Sequence, residues 1–167
     1  MTGTKPPFSH EVKYLSNCTL LPMHKKSAEI LGVELGAMDP WRSLGYSAKR
    51  LEEYLLREDP SLHRFEVHTG KELAGVICVR YPWLRGPYLE LIALTGSHRN
   101  FGVGKTLLEW FEAGAKTHGQ NAWVIVTHFN EGARRFYARH GYQEIASLKG
   151  LVTEGVDEIL LRKKISG

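Results

Sequence analysis

The chain has 167 residues, of which 43% are hydrophobic and 10% aromatic, and this composition is typical of one globular domain and not of a disordered or fibrous protein. Its 22 Lys and Arg residues against 18 Asp and Glu residues give a formal net charge of +4, which favours an anionic ligand, but no cluster of basic residues indicates a nucleic-acid partner. No stretch reaches the roughly 20 apolar residues of a membrane span, so we expect no membrane partner.

The two cysteines, Cys18 and Cys78, allow at most one disulfide bond. Cys78 lies in an apolar stretch, where a buried and reduced thiol is the more common state. The first ten residues carry Pro6 and Pro7 where a signal peptide would have an apolar core. Together these features predict a cytoplasmic protein.

The start of the chain is polar, and we expect residues 1–10 to form a loose leader before a single domain over residues 11–167. A first strand is predicted within residues 11–20. No linker or repeat divides the remaining chain, so one domain is the simplest organisation.

Two helices are predicted next. Ser27 can cap the first helix, and its buried face is predicted at Ile30, Val33 and Ala37. Ser47 can cap the second, with Leu51, Tyr54 and Leu55 buried and an end before Asp59-Pro60.

The second half of the chain alternates between extended and helical periodicity. A strand is predicted around Phe65 and Val67, followed by a turn at residues 69–71. Further strands are predicted at residues 73–81, 88–94, 122–127, 142–148 and 157–163, and helices at 102–118 and 130–140. The longer helix places Val103, Leu107, Phe111 and Ala115 on one face. This order predicts a mixed α/β sheet with helices on its faces.

Residues 99–106 read Arg-Asn-Phe-Gly-Val-Gly-Lys-Thr and lie between a predicted strand and helix. Backbone amides at such a glycine-rich helix start can bind a phosphate group. A nucleotide-hydrolysing P-loop would need glycine at Arg99, and a dinucleotide-binding fingerprint would need glycine at Leu107. The remaining interpretations are a pyrophosphate site of another kind and an ordinary glycine turn.

Two motifs resemble those of one enzyme family. Arg99-x-x-Gly102-x-Gly104 resembles the acyl-CoA-binding signature of the GNAT acetyltransferase superfamily, and residues 130–142, Asn-x-x-Ala-x-x-Phe-Tyr-x-x-x-Gly-Tyr, are similar to its next motif. With the order of elements, the resemblance covers residues 11–165. It implies a single GNAT-like α/β domain with a mixed, mostly antiparallel central sheet flanked by about four helices.

The resemblance implies that acetyl-CoA is the co-substrate. Arg99 would be the first residue of the loop that binds the pyrophosphate of acetyl-CoA. Asn130 would contact the cofactor and also cap a helix. Main-chain groups of Ile92 and Leu94 would pair with the pantetheine arm. The loop and helix start would hold the pyrophosphate through Phe101, Gly102, Val103, Gly104, Lys105 and Thr106, although Lys105 can equally be a solvated lysine.

Tyr137 matches the position of the general acid in this family, and it would also contact the cofactor. A phenol on a rigid helix can protonate the CoA thiolate as it leaves. The alternative is a tyrosine that only anchors its helix to the sheet.

The general base has three candidates, of which Glu90 is favoured. Glu90 is a lone carboxylate in the apolar strand 88–94, and some family members carry a catalytic glutamate at its position. His128, after the next strand, is an alternative because imidazole titrates near neutral pH. A water molecule is the third.

The acceptor pocket of the superfamily lies between the first two helices and the loop before the fourth strand. Trp41, Arg42, Tyr46 and Trp83 are the predicted substrate-binding residues there. The alternative for the tryptophans is that they pack loops onto the sheet.

The sequence therefore predicts an N-acetyltransferase that transfers an acetyl group directly from acetyl-CoA to a primary amine, either a peptide or protein N-terminus or a small molecule. A non-catalytic acyl-CoA-binding or regulatory domain on the same fold is the alternative. The histidines show no metal-ligand spacing, so no metal is expected. The protein is expected to be a monomer or a homodimer.

Overall fold

The computed structural model describes residues 5–165, which form eight strands and four α-helices. The strands are β1 (Lys13–Tyr14), β2 (Thr19–Pro22), β3 (Leu62–Thr69), β4 (Glu72–Trp83), β5 (Gly86–Leu94), β6 (Asn121–Thr127), β7 (Gln143–Thr153) and β8 (Val156–Lys164). The helices are α1 (Lys25–Gly36), α2 (Ala48–Leu56), α3 (Val103–His118) and α4 (Glu131–Arg139). Within residues 5–165, no helix has the length and hydropathy needed to cross a bilayer.

All eight strands form one sheet in the order β1-β2-β3-β4-β5-β6-β8-β7. Every neighbouring pair is antiparallel except β5 and β6, which are parallel. The predicted mixed, mostly antiparallel sheet with four helices is therefore confirmed.

The parallel pair β5 and β6 is joined only at its beginning. Tyr88 pairs with Trp123 and Leu89 with Val124, yet β5 continues to Leu94 and β6 to Thr127. The two strands therefore separate toward their carboxyl ends. We call the opening between them the β5–β6 split.

The helices cover both faces of the sheet. On one face α3 buries Val103, Leu107, Phe111 and Ala115, the stripe that the sequence predicts. On the other, α1 and α2 pack over β4 and β5. Ser47 caps α2 as expected, since its side chain accepts a hydrogen bond from the backbone N–H of Arg50.

The predicted buried face of α1 is wrong. Ile30 and Val33 are 43% and 63% exposed, while Ala28, Leu31 and Leu35 are buried. The helix begins after His24, and Ser27 hydrogen-bonds the buried Glu66 instead of capping it. The sequence offers two apolar faces, and the close approach of α2 selects the one that contains Gly32: a Cβ there would meet the Ala48 carbonyl oxygen of α2 at 2.6 Å.

The segment before β1 is anchored. Phe8 is fully buried, with its ring centroid 5.4 Å from that of Trp110 and 6.2 Å from that of Phe111. The expectation of a loose leader therefore does not hold at Phe8, and residues 1–4 of it lie outside the described residues. The single predicted strand over residues 11–20 is instead the hairpin of β1 and β2.

Both cysteines are buried free thiols. Burial raises the pKa of Cys18 to about 11 and that of Cys78 to about 12. Both thiols are therefore protonated and unreactive at neutral pH.

Candidate active site

A cavity of about 590 Å³ lies at the β5–β6 split. Its walls come from the α1–α2 connection, α2, β5, β6, α4 and the β7–β8 hairpin. Its volume is in the range of sites for small molecules. The titratable side chains along its walls are Arg50, Glu53, Tyr54, Arg57, Tyr88, Glu90, Tyr137 and Glu158, together with Tyr46.

The glycine loop leads into α3 after the carboxyl end of β5. Asn100 and Gly102 have φ values of 66° and 78°, a left-handed conformation that reverses the chain before Val103 starts the helix. The backbone N–H of Thr106 bonds the Gly102 carbonyl, so the N–H groups of the preceding first turn lack helical partners. This helix start can therefore bind an anion.

The side chains of this loop are turned in different directions. Phe101 is 74% exposed, and Lys105 forms an exposed ion pair with Glu109 at 3.8 Å. The Thr106 hydroxyl donates to the Gly102 carbonyl oxygen. A Cβ on Gly104 would lie 3.7 Å from Phe136 of α4, so α3 and α4 meet closely at this point.

Arg99 connects the loop to the end of β5. Its Nε donates to the Leu94 carbonyl oxygen at 3.2 Å, and its Nη2 lies 3.3 Å from Met38 Sδ. Ile92 and Leu94 pair with β4 on one side and border the β5–β6 split on the other. The arginine thus fixes the strand end beside which a cofactor would lie.

The α4 helix begins at its predicted cap. Asn130 Oδ1 accepts a hydrogen bond from the Ala133 backbone N–H at 3.2 Å. Asn130 also lines the cavity, at the end of the β5–β6 split opposite β5. Its capping role is thus present in the structure.

Tyr137 is a buried wall residue of the cavity. Its side chain is 3% exposed, and its ring packs edge-on against Phe136 and Tyr142, with centroid distances of 5.2 and 5.4 Å. Burial, and then the nearby Tyr88, raise the pKa of Tyr137. The phenol therefore carries its proton at neutral pH and can donate it to a group in the cavity.

Glu90 is held by two partners. Arg80 donates from Nε to Oε1 at 2.8 Å and from Nη2 to Oε2 at 3.1 Å, and the Tyr54 hydroxyl donates to Oε2 at 2.7 Å. The hydrogen bond to Glu90 is the largest cause that raises the pKa of Arg80. Arg80 also donates to Asp59 at 2.9 Å, so Glu90 belongs to a charged network at the cavity wall.

The structure adds a carboxylate that the sequence analysis missed. Glu158 of β8 lies opposite Thr127 of β6, and the Thr127 Oγ1 is 3.1 and 3.2 Å from its two oxygens. It is 4% exposed, and burial raises its pKa against the effects of Thr127 and His128. A signal was available, because consecutive strand residues point to opposite faces, so either Asp157 or Glu158 had to point inward.

Of the predicted substrate-binding residues, Trp41 and Tyr46 line the cavity, and Arg50 lies over the Tyr46 ring at 4.6 Å. Arg42 is not a lining residue and forms an exposed ion pair with Asp39. Trp83 also lies outside the lining.

Trp83 packs on a lining residue from the outside. Its ring lies 4.7 Å from that of Tyr88, which faces the cavity, and 5.7 Å from that of Trp123. The structure thus supports loop packing as the role of Trp83.

The chain matches the model of a known protein family. The model of the acetyltransferase (GNAT) family matches residues 29–142, more than half of the chain. No curated protein sequence matches the chain significantly.

Solved structures share the fold. An acetyltransferase from Thermus thermophilus is 21% identical, with a TM-score of 0.70 over 91% of this chain and 99% of that one. A spermidine N-acetyltransferase from Vibrio cholerae, in complex with CoA and spermine, is 20% identical, with a TM-score of 0.70 over 90% and 96%. The ribosomal-protein-S18-alanine N-acetyltransferase from Escherichia coli is 18% identical, with a TM-score of 0.68 over 90% and 95%.

Proposed function

This chain belongs to the GNAT acetyltransferase family and is an acyltransferase, and from that premise we propose that it transfers the acetyl group of acetyl-CoA directly to a primary amine. The observation that carries the proposal is the β5–β6 split, where the two strands separate before the loop that starts α3 and where the cavity is walled by Tyr137. A thioester held along the split would present its carbonyl carbon to this cavity.

Acetyl-CoA would bind mainly through main-chain groups. The pyrophosphate would lie at residues 101–106, where the free N–H groups and the dipole of α3 favour negative charge. The pantetheine arm would lie along Ile92 and Leu94, where β5 and β6 have separated. Asn130 and Tyr137 would contact it from α4.

Tyr137 would act as the general acid. Attack of an amine on the thioester carbonyl expels the CoA thiolate, which must gain a proton. Tyr137 holds a proton at neutral pH and lines the cavity. A phenol used only for packing would not need to face that cavity.

The amine must lose protons as it attacks, and Glu90 is the base that the sequence analysis favours. Its carboxylate lines the cavity, but both of its oxygens accept hydrogen bonds from Arg80. This carboxylate is thus already paired with a cation of the protein. His128 and water are the other bases considered above.

The acceptor itself is best found by experiment, because solved structures with this fold include enzymes named for a polyamine and for a protein alanine. We propose screening a panel of polyamines, amino acids, short peptides with free N-termini and amine drugs. Release of CoA would be followed with a thiol reagent. N-acetylated and N-methylated forms of each hit serve as matched controls.

The screen separates the two functions left open by the sequence. An enzyme releases CoA only with the free amine, and mass spectrometry finds the acetylated product. A non-catalytic acyl-CoA-binding domain binds acetyl-CoA by calorimetry but releases no CoA with any acceptor. Failure to bind either acetyl-CoA or CoA would contradict both functions.

A further inference from the structure

Two carboxylates line the cavity, and their surroundings differ. Glu90 is paired with Arg80 and hydrogen-bonded by Tyr54. For Glu158, the one side chain within residues 5–165 that donates a hydrogen bond is Thr127. Over the same part of the chain, no Lys or Arg nitrogen lies within ion-pair distance of Glu158.

Glu158 is therefore incompletely satisfied. The single hydroxyl hydrogen of Thr127 can be donated to only one carboxylate oxygen at a time, although it lies near both. A carboxylate that is 4% exposed loses most of its hydration, and this cost is usually offset by a cation or several donors. A ligand with several N–H donors and a positive charge would supply what the protein does not.

The position of Glu158 relates it to the reacting groups. Tyr88 lines the same cavity as both carboxylates. After burial, the charges of Glu90 and Glu158 are the next causes that raise the pKa of Tyr88. Tyr88 in turn is close enough to raise the pKa of Tyr137. Glu158, Tyr88 and Tyr137 thus line the same cavity, from β8, β5 and α4.

We propose that Glu158 is a catalytic carboxylate that receives the ammonium group of the acceptor and takes up its proton before attack on the thioester. This inference rests on the proposed acetyl transfer and names the substrate class more narrowly: the acceptor enters as a primary ammonium. Glu90 then acts as a positioning residue that ties α2 to the cavity wall through Tyr54.

The proton balance of the step is complete. The ammonium gives one proton to Glu158, and the neutral nitrogen forms a bond to the thioester carbonyl carbon. The carbon–sulfur bond then breaks, and the leaving thiolate takes the phenolic proton of Tyr137. The nitrogen loses a second proton, which returns to Tyr137, and Glu158 releases its proton to solvent. The products are the amide, CoA as the thiol and one proton.

Other titratable groups line the cavity with Glu158: Tyr88 and Glu90 of β5, Tyr137 of α4, and Arg50, Glu53 and Arg57 from the α2 side. His128, at the end of β6, favours the charged form of Glu158, and Tyr88 faces this carboxylate from β5. Asp157 precedes it in β8 but accepts a hydrogen bond from Ser147 of β7. The acid limb of the pH profile is the decrease of kcat/KM at low pH. If this limb disappears when the Glu158 carboxylate is removed, it therefore reports the titration of Glu158.

The first experiment measures kcat/KM against pH for wild type, Glu158→Gln, Glu158→Asp and Glu90→Gln, with an amine found in the screen. We expect Glu158→Gln to lower kcat/KM by about 10²- to 10⁴-fold and to abolish the acid limb. Glu158→Asp should restore part of the rate together with the limb. Glu90→Gln should keep the limb. Loss of the limb in Glu90→Gln with an unchanged Glu158→Gln enzyme would overturn the proposal.

The second experiment needs no turnover. NMR titration of the CoA-saturated protein compares butylamine with the uncharged butanol. Wild type should bind butylamine more tightly than butanol. In Glu158→Gln the ratio of the two affinities should fall at least tenfold, while the affinity for acetyl-CoA should stay the same. No preference in wild type, or the same preference in Glu158→Gln, would overturn the assignment. If no amine were acetylated, the proposed function would fail, and this titration alone would decide whether Glu158 binds an ammonium.

Discussion

The Tyr54 hydroxyl lies 2.7 Å from Oε2 of Glu90 and donates a hydrogen bond to it. Tyr54 belongs to α2 and Glu90 to the central strand β5, so this bond fixes the helix over the cavity wall. Arg80 completes the arrangement by pairing with the same carboxylate. The cavity wall thus depends on one carboxylate shared by a helix and two strands.

Removing the charge of Glu90 should destabilise the protein. In Glu90→Gln, Arg80 keeps Asp59 but loses its bidentate partner. For a partly buried ion pair we expect a loss of about 1–3 kcal/mol in the free energy of unfolding, measured by urea titration. Tyr54→Phe, which removes the hydrogen bond to Glu90, should cost about 1 kcal/mol. An unchanged free energy of unfolding in Glu90→Gln would show that the network contributes nothing to stability.

Replacing Glu158 should have the opposite effect on stability. Because burial raises the pKa of Glu158, the folded state binds its proton more tightly than the unfolded state does. Its contribution to stability is therefore complete below the ordinary pKa of glutamate and is lost as pH rises through the raised pKa. Glu158→Gln, which carries no charge, should raise the Tm near neutral pH, and the gain should shrink in acid.

Thermal unfolding at about pH 7.5 and about pH 4 tests this difference. Glu144→Gln is a suitable control, because Glu144 forms an exposed ion pair with Arg134 and its replacement should change the Tm little. A lower Tm for Glu158→Gln at neutral pH would show that the carboxylate stabilises the fold, against the expectation drawn from its burial.

Tyr137→Phe should separate packing from catalysis. The substitution keeps the ring that packs between Phe136 and Tyr142 and removes only the hydroxyl. We expect kcat to fall by about 10- to 10⁴-fold with little change in acetyl-CoA affinity. Steady-state kinetics and calorimetry measure the two quantities. A parallel loss of both would make Tyr137 a cofactor-binding residue, and an unchanged kcat would remove it from the mechanism.

Gly104→Glu should abolish binding of acetyl-CoA and leave the fold intact. A Cβ at this position makes only an ordinary contact with Phe136, and a carboxylate in the first turn of α3 favours the helix. The same negative charge opposes the pyrophosphate. Calorimetry with CoA measures the loss, and Gly104→Ala is the control that adds bulk without charge. Equal affinity in a folded Gly104→Glu protein would show that the loop is only a turn.

Phe8→Ala should test whether the segment before β1 belongs to the core. Phe8 is fully buried, and its ring fills the space above Gly114, where a Cβ would lie 2.5 Å from Phe8 Cε1. We expect a loss of about 3–5 kcal/mol in the free energy of unfolding, measured by urea titration. Phe101→Ala, at an exposed phenylalanine, is the matched control and should change stability little.

The sequence alone determined the order of the elements after the first hairpin, the buried stripe of α3 and the glycine motif at its start. These features are local: helical periodicity, strand alternation and turn residues depend on neighbours a few positions away. Ser47 and Asn130 were predicted as caps for the same reason, since a cap bonds an N–H group only three residues further on.

The tertiary structure alone decided which residues meet. Leu31 and Leu35 on the packed side of α1 lie at helical spacing, but so do the exposed Ile30 and Val33. The sequence pattern allows either face, and only contact with the sheet and α2 selects one. Arg80 reaches Glu90 across paired strands. Glu158 enters the cavity because β8 pairs with β6, over thirty residues away in the chain, and sets the carboxylate opposite Thr127. Long-range pairing of strands leaves no local pattern, and it is this pairing that brings the buried carboxylate of Glu158 into the cavity that Tyr137 also lines.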